Sequence, residues 1–222
     1  TMTNVKTIMF TALLALMIAV PVSAQTIMTK DLIVTVESDS PLFGNLFAVD
    51  AENSNEFILD PSSFFALAAG PMSVDSALQS VTLSIKVKDD SDFVLPGITV
   101  KESGDYGIGV PTGGEGSVFA NQRIAALNLG NISSSNMFFS DTPAGGEEAL
   151  PEWSVESTLE FEPVSYLLLE VQNLLVAENV ESGTTLIDKK LIEFAPVPLP
   201  ATVWLFGSVL AALGLFRRNS IK

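Results

Sequence analysis

Strict alternation of apolar and polar residues most constrains this chain. Val81-Thr82-Leu83-Ser84-Ile85-Lys86-Val87 alternates without a break, and Trp153, Val155, Leu159 and Phe161 share one parity in a second segment. A period of two puts successive side chains on opposite faces, so each segment is a strand with one face buried. Residues 32–37 repeat the pattern. Further apolar or β-branched runs occupy 57–59, 93–101, 166–177 and 184–194, separated by clusters of Gly, Pro, Asn, Asp and Ser. Short strands at this spacing predict an all-β fold, an antiparallel β-sandwich of jelly-roll-like design. The run 62–70, rich in Ala and Phe, reads either as a short helix capped by Gly70 and stopped by Pro71 or as a core strand. The Gly-rich segment 104–116 and the Gly-, Pro- and Glu-containing segment 140–151 read as long surface loops. No internal repeat or domain linker is evident.

Two apolar runs bracket this β-rich middle. Residues 8–20 form an apolar run of 13 after Lys6, followed by Val22-Ser23-Ala24 before Gln25. A run that short cannot span a hydrocarbon layer, which takes about 20 residues. With the small-residue site it has the tripartite form of a secretory signal peptide, cut by signal peptidase between Ala24 and Gln25. At the other end, 199–216 carries no charge and is stopped by Arg217 and Arg218. Eighteen helical residues reach roughly 27 Å, just enough to cross a bilayer. Arg217 and Arg218 belong on the cytoplasmic side, while the leader commits the middle to export. The chain therefore divides into a leader, 1–24, an ectodomain, 25–195, and a tail, 196–222, with its transmembrane helix over 201–216.

All 26 acidic residues lie between Asp31 and Glu193, and the whole stretch 25–195 holds only seven basic residues, from Lys30 to Lys190. So anionic a surface repels phosphate backbones, which excludes nucleic acid as a partner. The chain has no Cys and no His. Serine and cysteine triads that use histidine, haem ligation by histidine and ordinary structural zinc are excluded with them. An exported chain without Cys must also build a core that stands without disulfides.

The tail carries a more specific pattern. Val197-Pro198-Leu199-Pro200-Ala201, then Val203-Trp204-Leu205-Phe206-Gly207-Ser208, a further apolar stretch, and Arg217-Arg218 resemble the VPLPA subtype of the PEP-CTERM family. Leu199 stands where the founding form has glutamate, and Thr202 where the subtype often has alanine. The resemblance covers about the last 26 residues and implies a destination without an activity. It implies recognition by a membrane-embedded exosortase in a Gram-negative bacterium, cleavage near Pro198 to Pro200, and transfer to the envelope surface or the exopolysaccharide matrix.

Within the ectodomain, Asp89, Asp90 and Asp92 follow the most regular strand pattern, and clustered carboxylates suit a hard cation such as calcium. The loop lacks EF-hand spacing, so a solvated turn is the competing reading. Asp50, Glu52, Asn53, Asn55 and Glu56 pose the same choice. Glu102 with Asp105, or Glu160 with Glu162, could pair for glycoside hydrolysis. Glu160 and Glu162, however, lie opposite the apolar parity and should be solvated, with Trp153 in the core. Tyr106 is expected to be an exposed aromatic. Gly107 and Gly109 complete no phosphate-binding motif and read as a flexible turn. The leading expectation is a non-enzymatic surface or matrix protein without a cofactor. A calcium-dependent carbohydrate-binding or adhesion module and a hydrolase with paired carboxylates are the alternatives.

Overall fold

The computed structural model describes residues 25–37, 41–61, 63–109, 115–130, 132–140, 150–180 and 182–197. The leader 1–24 and the tail from Pro198 onward, with the span 201–216, lie outside the described residues. Among those described, no helix is long and apolar enough to cross a membrane.

The described chain is antiparallel β-structure in two sheets, with one short 3-10 turn at Pro41–Phe43. In chain order the strands are β1 Thr26–Met28, β2 Leu32–Val36, β3 Asn45–Ala48, β4 Phe57–Asp60, β5 Phe65–Ala69, β6 Ser73–Val87 and β7 Leu95–Gly109. They continue with β8 Gly116–Ala126, β9 Ile132–Ser140, β10 Glu152–Val164, β11 Tyr166–Asn179, β12 Thr184–Asp188 and β13 Leu191–Pro196. The first sheet runs β1-β2-β6-β11-β8-β9. Its spine is β11, paired along its full length with β6 and over 11 residues with β8. In the second sheet the spine is β7. It pairs with β10 on one edge, and with β13 and then β12 on the other. From there the sheet extends through β13 to β4 and β3, and through β12 to β5.

The inner faces meet in one core. Val81, Leu83, Ile85, Leu167, Leu169 and Val171 of the first sheet face Ile98, Val100, Trp153, Leu159, Ile192 and Phe194 of the second. Both lateral openings are tied. Gln25 clamps the main chain of Leu46, donating to its carbonyl at 2.7 Å and accepting from its amide at 2.8 Å. On the opposite side Asn136 of β9 donates to the carbonyl of Glu156 in β10 at 2.7 Å, while Phe138 stacks on Trp153.

The strand alternative for 62–70 holds over 65–69, and two other sequence expectations change. Residues 65–69 are a strand and not a helix, with Ala66 and Ala68 buried and Phe65 and Leu67 turned outward. Gly70, at φ +88°, begins the turn into β6. The glycines from 104 to 109 are not a loop but the second half of β7, because β12 and β10 supply backbone partners there. Gly104 is required by a close approach: a Cβ would sit 1.9 Å from the carbonyl oxygen of Asp188. The run 184–194 is two strands, interrupted at Lys189 and Lys190, whose amides donate to Phe64 and Ser103 carbonyls.

Candidate functional site, a buried lysine between the sheets

At that interruption the inward parity carried by Thr185 and Ile187 extends one step further and turns Lys189 into the core. Its side chain has no exposed surface, and Nζ lies 2.6 Å from Glu102 Oε2, itself 1% exposed. Nζ also donates to Asn173 Oδ1 and sits 4.8 Å from the centroid of the Phe64 ring. Glu102 comes from the middle of β7, and Asn173 from the middle of β11. The cluster therefore bridges the two sheets.

Each polar member occupies a position that its strand pattern reserves for the core. Asn173 lies between Val171 and Leu175, and Glu102 follows Ile98 and Val100 on the same parity. Directly opposite Asn173 on β8 is Gln122, also fully buried. Several buried atoms lack hydrogen-bond partners among the described residues: Glu102 Oε1, Asn173 Nδ2 and both terminal atoms of the Gln122 amide. Polar groups in a core ordinarily find partners, so this concentration marks the region chemically. Burial pushes the Lys189 ammonium below the ordinary lysine range, against the opposing pull of Glu102. A groove of about 250 Å³, lined by Phe64, Asp188, Lys189 and Lys190 among others, adjoins it.

The surface acids are arranged differently. Asp89, Asp90 and Asp92 are all exposed in the turn after β6, and Asp89 pairs with Lys86 at 2.9 Å. Asp50 caps its own turn, accepting from the Glu52 and Asn53 amides. Asn55 Oδ1 accepts from the Asp31 amide and the Thr29 hydroxyl. Asp31 in turn accepts from Ser91 at 2.7 Å and Asn55 at 2.9 Å. Partial burial raises the Asp31 carboxyl, but those hydrogen bonds, with Lys30 and Lys88 nearby, outweigh it and hold it below its ordinary range. Among the described residues, no three acidic side chains gather as a metal site would need.

The other candidates separate too. Glu102 points inward and Asp105, of opposite parity, is half-buried and 3.8 Å from Lys190. They face no common space. Glu160 and Glu162 are exposed, and Trp153 is buried, with its indole Nε1 donating to the Asp188 carbonyl at 2.8 Å. Tyr106 is not an exposed aromatic. It packs half-buried against Phe138, with ring centroids 5.4 Å apart, because its stretch of β7 is covered by β9. Of the sorting residues, Val197 is described and its amide donates to Gly97 O at 3.0 Å. Gln25 is described as well. Ala24, Pro198, Leu199, Pro200, Ala201, Arg217 and Arg218 lie outside the described residues.

The class of protein defined here is a two-sheet antiparallel β-sandwich with an ionic pair bolted through its core. No family model matches the chain, and no curated protein matches it in sequence. Among solved structures, the enzymatically active domain of bacteriophage CBA120 tailspike protein 4 is similar over 79% of this chain and 19% of that chain. The identity is 10% and the TM-score 0.26, so the likeness carries no functional argument.

Proposed function

We propose that the chain is an exported, non-enzymatic surface or matrix protein of a Gram-negative bacterium. In this reading signal peptidase removes 1–24, and the tail holds the precursor in the inner membrane. An exosortase then cuts near Pro198 to Pro200, and the jelly-roll-like sandwich becomes resident at the envelope surface or in exopolysaccharide. It needs no cofactor and no nucleic acid.

One observation supports this most. Among the described residues, Gln25 is held to the sandwich by its side-chain clamp on Leu46, and Val197 by its amide bond to Gly97 O. Cuts after Ala24 and near Pro198 to Pro200 would thus leave every described strand and both lateral ties intact. The resemblance of the tail to the VPLPA subtype supplies the processing enzyme. The experiment is the double exchange of Pro198 and Pro200 for alanine, followed by fractionation. The variant is expected to accumulate in the inner membrane with its tail attached. Normal release of the variant would sink the sorting reading.

A further inference from the structure

We propose that Lys189 and Asn173 condense into an intramolecular amide that joins the two sheets covalently, with Glu102 carrying the protons. The three side chains meet at one atom. Lys189 Nζ contacts both Glu102 Oε2 and Asn173 Oδ1, and Phe64 covers its remaining side. The nucleophile, the acid–base group and the electrophilic carboxamide are therefore already in contact, which removes most of the entropic cost of bringing them together.

The atoms balance without any co-reactant. A proton passes from the Lys189 ammonium to Glu102 Oε2, leaving a neutral amine. Its lone pair attacks Asn173 Cγ, the Nζ–Cγ bond forms, and the carbonyl π pair moves onto Oδ1. The Glu102 carboxyl gives its proton to Nδ2, and the resulting carboxylate takes one from Nζ. As the Oδ1 pair returns, the Cγ–Nδ2 bond breaks and ammonia leaves. Glu102 ends protonated and neutral beside the new amide, and ammonia leaves neutral, taking its fourth proton from solvent on reaching water.

The environment favours each step. Burial disfavours the charged pair relative to the neutral one, and the lowered lysine agrees in direction. Glu102 Oε1 and Asn173 Nδ2 have no partner among the described residues, so the second carboxylate oxygen and the leaving nitrogen are both uncommitted. A groove lined in part by Phe64 and Lys189 adjoins the sealed cluster, and an opening toward it would release the ammonia. In product the chain gains a bond across a separation of 16 residues, between the spine of one sheet and the β12–β13 junction of the other. A chain with no cysteine thereby acquires a covalent staple that no reductant opens. The reaction needs only the folded chain and does not depend on its destination.

The test is a digest of the denatured full-length protein with a glutamate-specific protease. Cleavage after Glu170, Glu178, Glu181 and Glu193 places Asn173 in 171–178 and Lys189 in 182–193. The wild type is expected to yield these peptides joined, lighter than their sum by one ammonia, about 17 Da. Asn173→Ala should yield them separately and melt about 6–12 °C lower. Glu102→Gln should also leave them separate while retaining a β-type circular dichroism spectrum. Separate peptides with a free Lys189 amine from folded wild type would overturn the proposal. Full joining in folded Glu102→Gln would overturn the role of Glu102, and if that variant does not fold, the wild-type and Asn173→Ala digests decide.

Discussion

Two lysine–carboxylate pairs of nearly equal length sit in opposite surroundings. Lys86 and Asp89 are 2.9 Å apart with side chains 51% and 88% exposed, whereas Lys189 and Glu102 are 2.6 Å apart and sealed. In water the first pair is screened and contributes almost nothing. The second must be matched in the core, because one buried charge without its partner is costly. The difference teaches that local density of acids is a poor guide to chemistry here. The turn of three aspartates is solvated, while an isolated glutamate on β7, an asparagine on β11 and a lysine at the β12–β13 junction converge.

The largest expected consequence is for Lys189→Ala, which removes the cross-link and leaves Glu102 in the core without its lysine, and should cost about 3–5 kcal/mol in denaturant titration. A loss near that of a surface pair would erase the contrast. Gly104→Ala drives a Cβ into the Asp188 carbonyl and displaces the segment that presents Lys189. A cost of about 1–3 kcal/mol is expected, with less cross-linked peptide.

The same contrast predicts a pH signature. In Asn173→Ala, Lys189 remains an amine whose folded value lies below its ordinary 10.5. Where the folded lysine loses its proton to solvent, the unfolded chain binds more protons between those two values, so stability rises with pH across that window. In the cross-linked wild type the amide does not titrate and this rise is absent. Urea midpoints at about pH 8 and about pH 10 compare the two.

Smaller effects belong to the surface. Ser91→Ala removes one hydrogen bond to Asp31 and should cost about 0.5–1 kcal/mol near neutral pH. Asp31 is lowered below its ordinary 3.8, so its contribution is present above that value. The cost should fade as pH drops through the lower folded value. Lys86→Ala should lie within about 0.5 kcal/mol of wild type, and a cost above about 2 kcal/mol would show that exposure does not separate the two pairs.

Much of the fold was legible because period two is a local signal. The alternation at 81–87 and from Trp153 to Phe161 marks β6 and β10, and Trp153 is core as its parity requires. Strands β8 and β9 escaped, since Ala120, Gln122 and Ala126 blur the buried parity of one and the polar run from Ser133 to Asn136 breaks the alternation of the other. The second half of β7 hid behind its glycines, of which Gly104 is required by the Asp188 approach. For the site, the signal was present but inverted. Asn173 and Glu102 are polar residues at core parity, the pattern that a stable strand ordinarily avoids. Lys189 was harder, because parity shifts between Ile187 and Ile192, and only the pairing of β12 and β13 along β7 shows where.

The most direct test of the whole account is the intact mass of the protein from envelope and matrix of its own cells, with and without the exosortase that the proposed sorting requires. The account predicts a species from Gln25 to a residue near Pro200 only when the enzyme is present, lighter by one ammonia. The end points test sorting and the missing ammonia tests the cross-link, each separately. A species that keeps Arg217 and Arg218 in both strains, with its full complement of nitrogen, would contradict both.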